Sequence, residues 1–198
     1  ASEFRYSDPF IDEKTMVIFV SQSGETSDTL AALKEAKAKG ALTIAVTNVV
    51  GSTISREAHK TIYTMAGPER AVASTKAYTT QVTIFYLLAL YMAELRKVIS
   101  KEKYEEYLSE IKNMPEKIQN ILDNCEKIKT AAEYFKDRTN GFFIGRGLDY
   151  KVAVEASLKI KEVSYVHTEA FASGELKHGT IALIEEGTPV VVIATQKN

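Results

Sequence analysis

Four side chains able to donate hydrogen bonds fall within six residues: Ser21, Gln22, Ser23 and Thr26, in the run SQSGET with Gly24 among them. Each hydrogen bond to a charged phosphate contributes roughly 1.5–3 kcal/mol. Four or five of them can hold a sugar phosphate without any lysine. Gly24 lets the backbone come close to such a ligand with no Cβ in the way. Helix capping is the plainer use of a Ser or Thr at such a place. The density of donors, the glycine and the buried strand just before them favour phosphate. The run is not a P-loop, and GRG at 145–147 is not a dinucleotide fingerprint. A second donor-rich stretch, VASTKAYTTQ at 72–81, surrounds a helix start with Ser74, Thr75 and Thr79. There, capping and ligand binding both stand.

A second kind of chemistry is concentrated in EASLKIKEVSYVHTEAFASGELKHG, residues 155–179. Glu155, Lys159 and Glu162 recur at i, i+4 and i+7, so a helix puts them on one face. A salt-bridged surface stripe is the ordinary reading. Against it stand Leu158, Ile160, Val163 and Tyr165, which leave little of the helix to be solvated. A carboxylate in such surroundings is expected to have its pKa raised toward general-base range. In GELKHG, Glu175, Lys177 and His178 sit between glycines, and His178 is a candidate proton shuttle. His167 is the other candidate, and His59 reads as a surface residue. The three histidines are too dispersed for a metal site of known spacing, so no metal is expected. A phosphate site with a carboxylate, a lysine and a histidine suits proton transfer on an open-chain sugar phosphate, as in aldose–ketose isomerisation.

These side chains need a scaffold. MVIFVS at 16–21 is too short for a helix and reads as a buried parallel strand. A helix follows, with Leu30, Leu33 and Ala36 in phase and Gly40 at its C-cap. LTIAVT at 42–47 is the next strand, which completes a βαβ unit. Further along, the pattern predicts a turn or two of helix at 53–58, a short strand at 61–65 and a long helix at 76–97. Within that helix, the apolar run 82–93 is expected to be buried; it is shorter than the ~20 residues a membrane span needs. Residues 100–136 read as a helical connector with a solvated face, Pro115 opening a helix inside it. Strands are expected at 141–145 and 189–195, with a helix over 150–165. The fold class is therefore α/β: a first domain over 1–99, the connector over 100–136, and the start of a second domain over 137–198. The two halves read as incomplete copies of one α/β domain, cut at both ends, hence as a piece of a longer polypeptide.

Composition narrows the function. The 198 residues carry 25 basic and 26 acidic side chains, a net charge of −1. Such a chain has no global field with which to gather nucleic acid or an anionic membrane, so neither is an expected partner. Cys125 is the single cysteine and reads as structurally incidental; its isolation suits a reducing cytoplasm.

The segments SQSGET, VASTKAYTTQ, FIGRG, LKIKEVSY and EAFASGELKHG, in that order and with ASEFRY at the start, closely resemble the isomerase domain of the glutamine–fructose-6-phosphate aminotransferases, or glucosamine-6-phosphate synthases. The resemblance implies two sugar isomerase (SIS) subdomains, flavodoxin-like, each a parallel sheet between helices. It implies that Ser21, Gln22, Ser23 and Thr26 bind the phosphate of fructose 6-phosphate or glucosamine 6-phosphate. Ser74 and the backbone near Val72 would contact the sugar. Glu162 resembles the base that moves a proton between C1 and C2, Lys159 a lysine near the sugar oxygens, and His178 the ring-opening histidine lent by a neighbouring subunit. A homodimer without a cofactor follows, supplied with ammonia by a glutaminase domain. That domain, the first SIS strand with its CGTS-like loop, and the tail bearing a Schiff-base lysine have no counterpart here; Lys197 is not at a matching position. Other SIS proteins keep a phosphate turn, including deglycases or deaminases of amino-sugar phosphates and non-catalytic sensing modules. A sensing module has no need of Glu162 beside Lys159.

Overall fold

In a computed structural model describing residues 1–196, the chain divides into two compact units, residues 1–112 and Asn113 onward. The division falls inside the stretch expected to act as connector.

The first unit carries α1 (Ser2–Tyr6), β1 (Met16–Ser21), α2 (Ser27–Ala38), β2 (Leu42–Thr47), α3 (Thr53–Glu57), β3 (Lys60–Tyr63), α4 (Lys76–Leu95) and α5 (Lys101–Lys112). Its three strands are all parallel, in the order β1-β2-β3. Register aligns Ser21 with Thr47 and Thr47 with Tyr63, so the carboxyl ends of the strands form one edge. Phe19 and Ala45 pack with Ala32, Leu33 and Ala36 of α2 and with Ile54 of α3. The small residues on α2 let the helix lie close to the sheet, and Leu33 and Ala36 are fully buried. Phe4 of α1 meets Phe19 edge-on, ring centroids 6.2 Å apart.

The second unit carries α6 (Met114–Asp123), α7 (Glu126–Glu133), β4 (Asn140–Gly145), α8 (Leu148–Ser164), β5 (His167–Ala172), a 3-10 turn (Thr180–Leu183) and β6 (Val190–Ile193). Its sheet is also parallel, with β4 in the middle of the order β5-β4-β6. Phe142 and Phe143 of β4 are buried with Ala153 of α8. A reciprocal pair locks α8 to β5: Ser157 Oγ donates to the Thr168 carbonyl at 2.9 Å, and Thr168 Oγ1 donates to the Ser157 carbonyl at 2.8 Å.

One expectation needs correction, and one strand lies where none was expected. The apolar run 82–93 is helical, but in α4 only Ala77 and Leu90 are buried. Phe85, Tyr86, Tyr91 and Met92 are exposed, because no described element of the unit covers that face. The segment from His167 to Ala172, read as part of a chemical cluster, is a strand. No helix among the described residues is long and apolar enough to cross a membrane.

Candidate functional site

The turn between β1 and α2 starts from Ser21, the last residue of the strand and only 6% exposed. Its Oγ accepts the Gly24 N–H at 3.0 Å and lies 3.0 Å from Thr26 Oγ1. Ser23 Oγ accepts the Glu25 N–H at 3.2 Å. One of the Ser21 and Thr26 hydroxyls donates to the other, while the second keeps its proton, and Ser23 Oγ, which accepts, keeps its own as well. Thr26 stands at the N-cap of α2 with extended backbone, yet its side chain caps nothing. The first N–H groups of α2 have no acceptor within the helix, and they carry the positive end of its dipole. The capping alternative for this turn is therefore not what the structure adopts. What remains is the hydroxyls of Ser21, Ser23 and Thr26 before a helix N-terminus without a side-chain cap, on the carboxyl edge of a parallel sheet, where the helix dipole favours negative charge.

Gly24 has a different reason from the one expected. Its φ is +69°, and a Cβ there would lie 2.1 Å from Ser52 Oγ and 2.9 Å from Thr47 Oγ1. The protein's own β2–α3 loop fills that space, so packing demands the glycine before any ligand does. Ser52 Oγ is buried and has no hydrogen-bond partner among the described residues.

That loop holds the turn from below. Asn48 N–H donates to the Gln22 carbonyl at 3.1 Å, and Ile54 N–H to the Gly24 carbonyl at 3.0 Å. Glu25 Oε1 accepts the Thr53 N–H at 2.7 Å. Hydrogen bonds from Thr53, side chain and backbone, outweigh desolvation and with the nearby Arg56 charge hold the Glu25 carboxyl below its ordinary range. Asn48 also reaches onward: its Oδ1 accepts from Thr64 Oγ1 and the Ala66 N–H, and its Nδ2 donates to the Gly67 carbonyl at 2.7 Å. It thereby fixes the start of the segment that leads to Val72 and Ser74. Val72 is fully exposed and Ser74 half-buried. At the start of α4, the Ala77 N–H meets Glu69 Oε2 at 3.3 Å, and Thr79 Oγ1 turns back to the Thr75 carbonyl at 3.4 Å. The hydroxyl of Thr79 thus serves its own helix. Glu25, Asn48 and Ser52 escaped the sequence reading; an acid placed among the turn's hydrogen-bond donors was the available signal.

In the second unit the structure joins the three charged residues of α8. Lys159 Nζ lies 2.6 Å from Glu162 Oε2 and 3.4 Å from Glu155 Oε1. Partial burial pulls the lysine down, but the hydrogen bond to Glu162 and the charges of both carboxylates outweigh it and raise its pKa. The apolar enclosure expected around Glu162 is missing: Leu158 is 41%, Val163 63% and Tyr165 92% exposed. Those side chains lie on a helix surface that no described part of the unit covers. His178 is exposed in the turns after β5, its N–H donating to the Glu175 carbonyl. His167 stands at the exposed start of β5, its Nε2 3.7 Å from Glu169 Oε1. His59, read as a surface residue, has its Nδ1 3.0 Å from the Thr43 N–H, which donates to it. Among the described residues no three His, Cys, Asp or Glu side chains gather as a metal site. Lys197 lies outside the described residues.

The family model described as "SIS domain" matches residues 1–91 and 134–198. A glutamine–fructose-6-phosphate aminotransferase (isomerizing) from Clostridium tetani is 59% identical over 197 residues, which is all of this chain and 32% of that protein. One from Methanosarcina acetivorans is 52% identical over 98% of the chain and 32% of its own length. The chain thus spans about a third of the length of these relatives. Among solved structures, the C-terminal domain of glucosamine-fructose-6-phosphate aminotransferase from Francisella tularensis superposes with a TM-score of 0.92 at 39% identity. The match covers 96% of this chain and 54% of that one.

Proposed function

The chain belongs to the SIS domain family, and we propose that it is the sugar-phosphate isomerase portion of a glucosamine-6-phosphate synthase. Its substrate is fructose 6-phosphate, its co-substrate ammonia released from glutamine by a further domain of the whole enzyme, and its product glucosamine 6-phosphate. The phosphate is held by Ser21, Gln22, Ser23 and Thr26. Ser74 and the backbone at Val72 hold the sugar. Glu162 moves the proton between C1 and C2, Lys159 orients it, and His178 from a neighbouring subunit opens the ring in a cytoplasmic homodimer.

The observation that carries the reading is the uncapped N-terminus of α2 behind a ring of hydroxyls. A phosphate there gains several charge-assisted hydrogen bonds in a chain with no net positive field. The ion pair of Lys159 with Glu162 supports the second half, since a carboxylate that must reach one carbon-bound proton has to be held in place. Two substitutions test it in the whole enzyme. Ser21→Ala should weaken fructose 6-phosphate binding about tenfold by calorimetry, one charged hydrogen bond. Glu162→Gln should leave binding intact and abolish turnover. Unchanged turnover in Glu162→Gln would remove it as the base, and unchanged binding in Ser21→Ala would remove the phosphate assignment.

A further inference from the structure

An acidic side chain inside a phosphate-binding turn is an electrostatic contradiction. Two negative charges a few ångströms apart repel, and Glu25 lies between Ser23 and Thr26. The structure resolves it by direction. The carboxylate turns to the β2–α3 loop, takes the Thr53 N–H at 2.7 Å, and has Arg56 as a nearby counter-charge. Arg56 is fixed in turn by its bonds to the Gly51 carbonyl and to Thr53 Oγ1.

We propose that Glu25 is a positioning residue of the phosphate turn: its carboxylate clamps the β2–α3 loop under residues 22–25 and sets the turn in the shape that receives the ligand. Three contacts act together. The Glu25 side chain holds Thr53, the Ile54 N–H holds the Gly24 carbonyl at 3.0 Å, and Ser52 occupies the space under Gly24. With Glu25 in place the loop is drawn against the turn and the glycine cannot relax inward. Without it, the backbone bonds from Asn48 and Ile54, the Thr47 hydroxyl on the Gln22 carbonyl and Ser21 Oγ on the Gly24 N–H are left to hold a segment whose glycine permits many conformations. Glu25 does this by hydrogen bonding, and its charge opposes the ligand. The inference rests on the phosphate reading of this turn and concerns its preorganisation.

The test compares Glu25→Gln with Glu25→Ala in the full chain. Glutamine keeps an oxygen for the Thr53 N–H and loses the charge; alanine loses both. Fructose 6-phosphate affinity by calorimetry should fall about tenfold in Glu25→Ala, the effect of one hydrogen bond, and return to the parent value or tighter in Glu25→Gln. If repulsion were the whole role of Glu25, both variants would bind more tightly, and the proposal would be overturned. Amide hydrogen exchange, read without ligand, supplies the independent arm. Exchange at Gly24, Glu25 and Ile54 should accelerate in Glu25→Ala and stay near the parent rate in Glu25→Gln, with the exchange of β2 unchanged in both. Unchanged protection in Glu25→Ala overturns the clamp whether or not the sugar phosphate binds. A Ser21→Ala control separates the two claims: an accelerated turn in Glu25→Ala with no effect of Ser21→Ala on affinity would keep the clamp and sink the phosphate assignment.

Discussion

The strand–turn–helix junctions β1–α2 and β4–α8 both lie on the carboxyl edge of a parallel sheet, and their side chains furnish that edge differently. At Ser21 to Ser27 the helix N-terminus has no side-chain cap, and the turn is lined with hydroxyls. At Gly145 to Asp149 the helix N-terminus likewise has no side-chain cap, but the acid of its first turn is buried and takes its hydrogen bonds from Thr195 and Gln196. Asp149, in the first turn of α8 and only 5% exposed, accepts the Thr195 N–H at 2.8 Å and Thr195 Oγ1 at 2.6 Å. The Thr195 hydroxyl, offset by desolvation and helped by the Thr195 and Gln196 N–H groups, holds that carboxyl below its ordinary range. Both junctions follow the rule that helix N-termini attract negative charge. Topology therefore marks where negative charge is favoured, and the side chains decide whether the chain itself buries a carboxylate there.

The glycines offer the largest way to break this comparison. A Cβ at Gly145 would lie 2.4 Å from the Asp149 carbonyl carbon, so Gly145→Ala drives α8 off β4. Backbone cannot rotate away, and the cost should be about 3 kcal/mol. Thermal melting would show the loss, and exchange would locate it in β4 and β5. Gly24→Ala meets the Ser52 side chain instead, at a φ of +69°. It should cost less, about 2 kcal/mol, because a serine can shift. Its larger effect should be on fructose 6-phosphate affinity, which Gly145→Ala is expected to leave alone wherever the chain stays folded. Equal losses of affinity in both would mean that the open junction is not the binding one.

How far these junctions could be read in advance depended on the range of the interactions. β1 and β2 were legible to the residue because MVIFVS and LTIAVT are short, mostly apolar runs rich in β-branched residues. β5 was not, because HTEAFA opens on three polar residues, His167, Thr168 and Glu169, and has no apolar run to mark it as a strand. The length of α4 followed from its pattern, but its burial did not, since periodicity shows that a face is apolar without showing what covers it. The turn at Ser21 to Thr26 announced itself by local density. Its supports did not: Glu25 acts on Thr53, Asn48 on Gln22 and Ala66, and Ser52 on Gly24. Each of these pairs is joined only by the parallel register of the sheet. Asp149 was silent for the same reason, its partners lying 46 and 47 residues away.

A smaller effect should follow from Asp149→Asn, which sharpens the contrast at the closed junction. An amide keeps the size but can accept only one of the two Thr195 donors, so the loop after β6 should loosen and exchange faster at Thr195. The pH dependence has a definite sign. A carboxyl whose pKa is depressed in the fold contributes stability above its unfolded pKa of about 3.9 and loses it as pH falls through the folded value. The parent and Asp149→Asn should therefore differ in melting temperature near neutrality and converge below about pH 4. A difference that persists at low pH would show that shape, not charge, holds this junction.

The smallest stability effect belongs to Lys159→Met, where a cation rather than a helix end answers the carboxylates. Lys159 is raised above its ordinary value, so its contribution is complete below the unfolded lysine pKa of about 10.4 and disappears as pH climbs through the folded one. A methionine keeps the stem's packing, and an ion pair this close to solvent is worth under about 1 kcal/mol. Melting should barely change at neutral pH. Turnover is the discriminating measurement. If Lys159 only decorates a surface stripe, both readouts stay near parent values. If it holds Glu162 in line with its proton, kcat falls by an order of magnitude or more while fructose 6-phosphate affinity and melting stay close to the parent, because misplacing a reacting group costs rate far more than stability.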